Sequence, residues 1–293
     1  MKLATIKYMN QEEAAIIHGG EAILITELNR IEGANWETSI FDLLLMNQLE
    51  ELKNWYQNKG AEGLNTYPKI NTKDFTYTAL YRKPKKILGV GMNYLEKVKE
   101  LSFTPTETEP VSFLKPDSSL IGPMETIRLP AYSHTVTAEG ELGIIIGKMC
   151  RNIEQDEVPG VVAGFTATLD MTAKDLHTRN PRFLQISKIF DTFFSFGPQL
   201  ITKDEVTNLD DITVQTVLNG EIAHSNEVIN MLFSPWSIVS FFSKIVTLTP
   251  GDIIMTGTPG SVVLKENNIV ECRIDGFAPL QNPVEAEETT NIY

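Results

Sequence analysis

From Ile87 onward the sequence consists of short apolar runs separated by turn signals, and this pattern limits the fold more than any other feature. Asn219-Gly220 joins two such runs, which predicts a two-residue β-hairpin. Pro250-Gly251 predicts a turn that leads into a strand at Ile253–Thr256. Ser234-Pro235 supplies an N-cap and a first helical residue, which predicts one of the few helices. This part of the chain is therefore predicted to be mainly β.

The first 80 residues have a different pattern, in which three short strands precede a helix. Thr38 or Ser39 is a candidate N-cap, and apolar residues follow at helical spacing as far as Gly60, which predicts one amphipathic helix. A basic connector, Arg82–Lys86, comes next. We predict a small N-terminal α/β domain at residues 1–80 and a larger domain at residues 81–293, in an α+β fold that is mainly β. The three strands are predicted at Lys2–Met9, Ala14–Ile17 and Ala22–Glu27.

Acidic residues outnumber basic ones, since 38 Asp and Glu against 25 Lys and Arg give a net charge of −13. A surface this acidic repels the phosphates of nucleic acids. It also repels small acidic substrates, unless a bound cation or a local cluster of lysines reverses the charge at one site. Two cysteines are too few for a disulfide framework, and no apolar segment approaches the roughly 20 residues of a membrane helix. We expect a cytoplasmic protein that binds neither nucleic acid nor membrane.

Two glutamates, Glu139 and Glu141, lie at the start of a predicted strand and point to the same side of it. Two carboxylates on one face of a strand repel each other and lose hydration as the strand is buried. A divalent cation between them would offset both costs. The alternative is that both glutamates lie on a solvated strand end.

A third carboxylate, Asp170, follows a run of alternating apolar and threonine residues that predicts a strand ending there. Together with the two glutamates it could complete a site made of oxygen ligands, which select Mg²⁺ or Mn²⁺, with Ca²⁺ as a third candidate, over zinc. The alternative role for Asp170 is the N-cap of a following helix. Lys174 and His177 lie in the polar segment that follows.

Nine segments in register resemble the fumarylacetoacetate hydrolase family, over roughly two-thirds of the chain. No single segment is decisive, but their order is specific. The segments are Gly91–Tyr94, Phe113–Pro116, Glu139–Lys148, Gly164–Asp175, Ser187–Pro198, Leu218–Glu221, Met231–Phe233, Leu248–Gly260 and Asp275–Val284.

The resemblance implies a fold, a metal and a substrate class. The fold is a mixed β-sandwich roll catalytic domain preceded by a small α/β domain, and relatives commonly form homodimers. The metal ligands implied by the family are Glu139, Glu141 and Asp170. Family reactions include C–C bond hydrolysis, decarboxylation, enol–keto isomerisation and sugar-acid dehydration of small 2-oxo, enol or 1,3-diketo acids. The bound metal cation would also make an acidic protein locally attractive to such an anion.

Two further residues match family positions at the pocket. Lys188 corresponds to a lysine at the metal–substrate site and could hold a substrate oxygen, the alternative being a surface lysine. Thr258 corresponds to a residue lining the pocket, the alternative being a role in its own turn.

Three positions depart from the family pattern. Hydrolytic and decarboxylating relatives carry a histidine with a glutamate three residues later; here Glu100 is retained but Lys97 replaces the histidine. Lysine is a poor base unless its pKa is strongly lowered. Lys97 could bind a second substrate carboxylate instead, or form an exposed helix pair with Glu100. Lys174 replaces an arginine, which keeps the charge but loses the bidentate geometry. His177 replaces a glutamine and could act as acid or base, the alternative being an ordinary loop histidine.

The resemblance favours a metal-dependent enzyme that cleaves a C–C bond, as a hydrolase or decarboxylase (lyase). Lys97, Glu100 and Lys188 are the predicted catalytic residues, with Lys174, His177 and Thr258 in substrate binding. A sugar-acid dehydratase or enol–keto isomerase is the alternative reaction. The lost histidine also allows a catalytically silent relative that binds a metabolite. A carbohydrate-binding module is disfavoured, because the three tryptophans fall in helix-like segments.

Overall fold

The computed structural model describes residues 1–94 and 109–287. The helices are α1 Ile25–Glu32, α2 Ile40–Leu45, α3 Leu49–Leu64, α4 Lys174–Arg179, α5 Leu184–Ser187 and α6 Pro235–Ile245. Short 3-10 turns lie at Asp117–Ser119, Val158–Gly160, Pro181–Phe183, Lys203–Glu205 and Val228–Asn230.

Strands dominate the described residues. They are β1 Lys2–Tyr8, β2 Gln11–His18, β3 Glu21–Leu24, β4 Thr76–Tyr77, β5 Ile87–Gly91, β6 Val111–Lys115, β7 Leu120–Ile121, β8 Ile127–Leu129, β9 Val136–Ile146, β10 Val162–Ala173, β11 Phe194–Thr202, β12 Thr213–Leu218, β13 Glu221–Glu227, β14 Ile253–Met255, β15 Ser261–Val263, β16 Ile269–Ile274 and β17 Leu280–Ala286.

These strands form two sheets in the described part of the chain. The larger has 12 strands, with the path β3-β2-β1-β11-β10-β9-β14-β5-β6 and with β4, β7 and β15 attached to β1, β11 and β9. The smaller has five strands in the order β13-β12-β16-β17-β8. Antiparallel and parallel pairs occur in both sheets. The α+β, mainly β class predicted from the sequence is confirmed.

The N-terminal strands continue the larger sheet. β1 pairs antiparallel with β11, with Lys2 opposite Ile201 and Leu3 opposite Leu200. One buried apolar cluster also contains residues from both parts of the chain, among them Leu3 and Ile253. The division at residues 1–80 and 81–293 stays a prediction.

Two N-terminal boundaries differ from the prediction. The third strand ends at Leu24 rather than Glu27, because α1 begins at Ile25 without a side-chain cap that would mark its start. The single predicted helix is two helices. Ser39 caps α2 by accepting the Asp42 N–H at 3.2 Å. Asn47, between α2 and α3, has a positive φ of 56° that no α-helix accommodates, and it separates the two helices.

The local signals of the second part are confirmed. Asn219 and Gly220 both have positive φ, at 52° and 85°, as the tight β12–β13 turn requires. Gly251 has a φ of 82° in the turn that leads into β14. The Ser234 hydroxyl accepts the Ser237 N–H at 3.2 Å and caps α6, with Pro235 as its first residue.

Candidate metal centre

Three carboxylates meet where β9 and β10 run side by side. Glu139 lies directly opposite Asp170, and Glu141 lies opposite Thr168 on the same face as Glu139. One carboxylate oxygen from each of the three acids lies within 4.8 Å of the others. Glu141 and Asp170 are 1% and 0% exposed. The structure thus brings together the three acids predicted to bind a metal. The alternative, a solvated strand end, does not fit their positions.

The local context of Asp170 differs from the prediction. β10 does not end at this residue but continues to Ala173, so that Asp170 is an internal, fully paired strand residue. The helix that follows has Ala173 at its N-cap position, so the alternative role of Asp170 as an N-cap is wrong. Burial on both faces explains why the strand passes beyond the acid, because all 12 of its residues are buried.

Glu141 is held by the loop that follows β14. Its Oε2 accepts the Gly257 N–H at 2.6 Å. Burial, together with the charges of Asp170 and Glu139, raises the pKa of Glu141 well above its usual range. Gly257 has a φ of 95°, and a Cβ there would lie 2.7 Å from the Cβ of Asn93. The approach of this loop to the carboxylate therefore requires glycine.

Asn93, in the Gly91–Tyr94 segment, fixes that loop from the other side. Its side-chain amide donates to the carbonyls of Thr256 at 2.7 Å and Phe233 at 3.0 Å, and its Oδ1 accepts the Phe233 N–H at 2.8 Å. Three segments singled out in the sequence therefore meet at one side chain. The sequence did not show this role, because the backbone groups that bind the Asn93 side chain lie far from it along the chain.

Lys188 lies among the carboxylates, with 5% exposure, and is not a surface lysine. Its ammonium donates to Glu139 Oε2 at 3.1 Å and makes a closer contact with Asp170 Oδ2. It also lies 4.5 Å from the centre of the Phe113 ring. Burial opposes its charge, but the charges of Asp170 and Glu139 outweigh burial and raise the pKa of Lys188. Lys188 is thus a protonated hydrogen-bond donor.

A second buried lysine, Lys115, was missed by the sequence reasoning. Its ammonium lies 2.7 Å from Asp170 Oδ1, and its side chain is fully buried. Burial lowers the pKa of Lys115 to about 8, although the charge of Asp170 acts in the opposite direction. The residue belongs to the Phe113–Pro116 segment, but nothing beside it in sequence indicates that it reaches the acids.

Lys174 and His177 lie on α4, directly after β10. Lys174 is exposed, and its backbone N–H donates to the Thr135 carbonyl at 2.8 Å. His177 is half-buried. Burial, with the nearby charges of Lys174 and Lys188, lowers the pKa of His177 below its ordinary value, so its imidazole is neutral at pH 7. Their part in substrate binding stays a prediction.

The remaining predicted residues contribute no described contact to the acids. The Thr258 hydroxyl donates to the Gly260 carbonyl at 2.9 Å and accepts the Gly260 N–H at 3.2 Å, so it is committed to its own turn. Its neighbour Gly257 is the residue of this turn that contacts Glu141. Lys97 and Glu100 lie outside the described residues.

The donor set fits a hard divalent cation. Lys115 attracts Asp170 Oδ1 by charge, yet this buried oxygen accepts no hydrogen bond from the described residues. A buried carboxylate oxygen in this state has lone pairs left for a cation. All three candidate ligands are oxygens, which suits Mg²⁺, Mn²⁺ or Ca²⁺ and not a thiolate-binding metal.

In the described ranges, no helix is both long and apolar enough to cross a membrane.

Comparison with known proteins agrees with this geometry. A family model for the fumarylacetoacetate (FAA) hydrolase C-terminal domain matches residues 86–285. An uncharacterized protein of Methanocaldococcus jannaschii is 41% identical over 207 residues, which cover 70% of this chain and 85% of that protein. The human mitochondrial oxaloacetate tautomerase FAHD2A is 35% identical over 226 residues, covering 74% of this chain and 72% of that one.

A solved structure has the same fold over nearly the whole chain. It is maleylpyruvate hydrolase from Sphingobium sp. SYK-6 in complex with manganese(II) ion and pyruvate. It is 26% identical in sequence, covers 98% of this chain and 100% of its own, and superposes with a TM-score of 0.80.

Proposed function

Because this chain belongs to the fumarylacetoacetate hydrolase family, we propose that it is a divalent-metal-dependent enzyme that interconverts the enol and keto forms of a small 2-oxo acid. A dicarboxylic 2-oxo acid such as oxaloacetate is the proposed substrate. The observation that carries the proposal is the cluster of three carboxylates, two of them fully buried, around the protonated Lys188. The neutral His177 is close enough to be affected by the charge of Lys188. The tautomerase relative supports the choice of reaction.

Glu139, Glu141 and Asp170 would hold the metal, as Mg²⁺ or Mn²⁺, with Ca²⁺ as the third candidate. When bound, the metal would polarise the oxo group of the acid and lower the cost of forming its enolate. The manganese(II) and pyruvate present in the related hydrolase structure support a divalent ion and a 2-oxo acid at this site.

Two lysines predicted from the sequence have different tasks. Lys188 is protonated, so it donates a hydrogen bond and cannot act as a base; we assign it to the substrate oxygen on which negative charge develops. Lys174 lies exposed at the start of α4, and its charge is suited to the second carboxylate of the acid. Thr258 is assigned to the pocket wall by its family position alone.

His177 is the described residue best suited to move the proton. Tautomerisation transfers one proton between the carbon beside the oxo group and the oxo oxygen. A neutral imidazole can take the proton from carbon and return it to oxygen. His177 has that protonation state at pH 7 because burial and the charges of Lys174 and Lys188 disfavour its cation.

Tautomerisation is favoured over cleavage because it needs no activated water. Hydrolytic relatives use a histidine at the position of Lys97, and lysine is protonated near neutral pH. C–C cleavage, as hydrolase or decarboxylase, is the second candidate. It is supported by the retained Glu100 and by the maleylpyruvate hydrolase structure.

The test follows the decay of the enol absorbance of freshly dissolved oxaloacetate, with Mg²⁺ or Mn²⁺ and with EDTA. We expect the protein to accelerate the decay only with metal, and the coupled reduction of the product by malate dehydrogenase to show intact keto acid. Glu154→Gln, which changes an exposed carboxylate paired with Lys244, is the control and should match the wild type. Pyruvate release detected with lactate dehydrogenase would favour decarboxylation, and an unchanged enol decay with metal would refute the proposal.

A further inference from the structure

Four oxygen atoms surround the buried ammonium of Lys115. It donates to the backbone carbonyls of Lys188 at 2.6 Å, Phe193 at 2.7 Å and Met171 at 3.1 Å. The fourth contact is with Asp170 Oδ1 at 2.7 Å, from a side chain with no exposed surface. One ammonium thus joins β10, which carries Asp170, to the segment that carries Lys188.

These contacts exhaust the donors of the group. An ammonium has three N–H bonds, and three carbonyls accept them. With the Asp170 oxygen also 2.7 Å from it, the Lys115 ammonium has no hydrogen left for a substrate, and its contact with Asp170 is an ion pair. This also accounts for the absence of a hydrogen bond to Asp170 Oδ1 among the described residues. Lys115 can affect the chemistry only through Asp170, through the Lys188 segment and through its charge.

The charge of Lys115 has opposite consequences for a cation and an anion. In the metal-loaded site, where the three carboxylates are ionised, a dication together with Lys115 and Lys188 leaves the cluster one positive charge. Without Lys115 the metal-loaded cluster would be neutral. A buried positive charge beside Asp170 repels an incoming dication and attracts an incoming oxyanion, because the interaction is little screened there.

We propose that Lys115 is a positioning residue that holds Asp170 and sets the charge of the site, weakening the binding of the metal ion in exchange for stronger binding of the acidic substrate. The proposal rests on the proposed function for the identity of the anion. It distinguishes Lys115 from Lys188, whose ammonium donates to the carboxylates themselves.

The experiment measures two binding constants without turnover, by calorimetry at pH 7. Mn²⁺ is titrated into metal-free protein, and oxalate, a small dianion, is titrated into the Mn²⁺-loaded protein. For Lys115→Met we expect Mn²⁺ to bind at least about tenfold more tightly and oxalate at least about tenfold more weakly. A purely structural role would weaken both. Because neither measurement needs catalysis, the absence of tautomerase activity would not affect the result.

Two variants guard against damage to the fold. Lys115→Gln supplies two amide N–H donors for the three carbonyls while losing the charge, and should show the same opposite shifts. Lys115→Arg keeps the charge and should stay within about threefold of the wild type in both constants. Lys86→Met is the control, because it removes an ion pair with another buried acid, Asp252, and it should change neither constant. The proposal is overturned if Lys115→Met lowers both affinities together or leaves both unchanged. It is also overturned if Lys115→Arg and Lys115→Gln behave alike.

Discussion

Asp170 lies between two buried ammonium groups. One oxygen contacts the ammonium of Lys188 and the other lies beside that of Lys115. Directly across the strand pair is Glu139, a like charge that would destabilise the sheet if nothing compensated it. The two lysines supply part of that compensation, and a divalent ion would supply the rest.

The lowered pKa of His177 predicts how the enol–keto rate depends on pH. The unprotonated imidazole is the active base, and its pKa lies below the ordinary value of about 6.5. The enol–keto rate should therefore be constant from neutral pH down to that lowered pKa, and should fall tenfold per pH unit below it. His177→Gln should lower kcat by about 100-fold or more and remove this acid limb. Stopped-flow pH profiles check both.

His18→Gln is the matched control, since this histidine lies at the end of β2 and is not a predicted site residue. It should keep the wild-type profile. A His177→Gln variant with the wild-type acid limb would show that another group takes the proton.

Among the secondary-structure elements, the β9–β10 pair fixes the site. The two strands pair over eleven positions from Val162 to Ala173, and this register alone sets Glu139 against Asp170. A slip of β10 by one residue would turn Asp170 to the face opposite the two glutamates. Gly164 lies near the start of β10, where the neighbouring strand approaches very closely, since a Cβ there would lie 2.0 Å from the Ile201 carbonyl oxygen.

Gly164→Ala should therefore force β10 and β11 apart and lower the free energy of unfolding by about 3 kcal/mol. Urea denaturation followed by circular dichroism measures this. Gly160→Ala is the control, because a Cβ at Gly160 would meet nothing within 4 Å, and it should change stability by less than about 0.5 kcal/mol. Equal stability of the two variants would contradict the close approach.

The elements that could be predicted are those with local signals. The Asn219-Gly220 hairpin and the helix capped by Ser234 depend on two adjacent residues each, and both are present as predicted. The boundary between β3 and α1 could not be predicted, because Leu24 offers no cap and apolar residues continue across it. The end of β10 was placed too early because burial by distant strands, and not sequence pattern, extends it past Asp170.

The site divides in the same way. The two glutamates could be paired from their spacing, and the family resemblance implied Asp170 and Lys188. Lys115 could not be assigned, because the carbonyls it binds are 56 to 78 residues away in sequence. Backbone acceptors leave no side-chain signature, so such a contact is visible only in the folded chain.

For the whole molecule, the question is how a chain with a net charge of −13 binds an acid. Two buried lysines and a metal ion on three carboxylates would create a local positive charge inside an acidic protein. The homodimer and the cytoplasmic location stay predictions.

The most direct test of this account is a calorimetric titration of Mn²⁺ into the metal-free protein and into Asp170→Asn. We predict one Mn²⁺ per chain in the wild type, with affinity reduced about 100-fold or more in the variant, because Asn removes a charged ligand but keeps its size. Glu154→Gln should bind as the wild type does. Equal Mn²⁺ affinity in wild type and Asp170→Asn, or no binding to the wild type, would contradict the metal centre on which the proposed function depends.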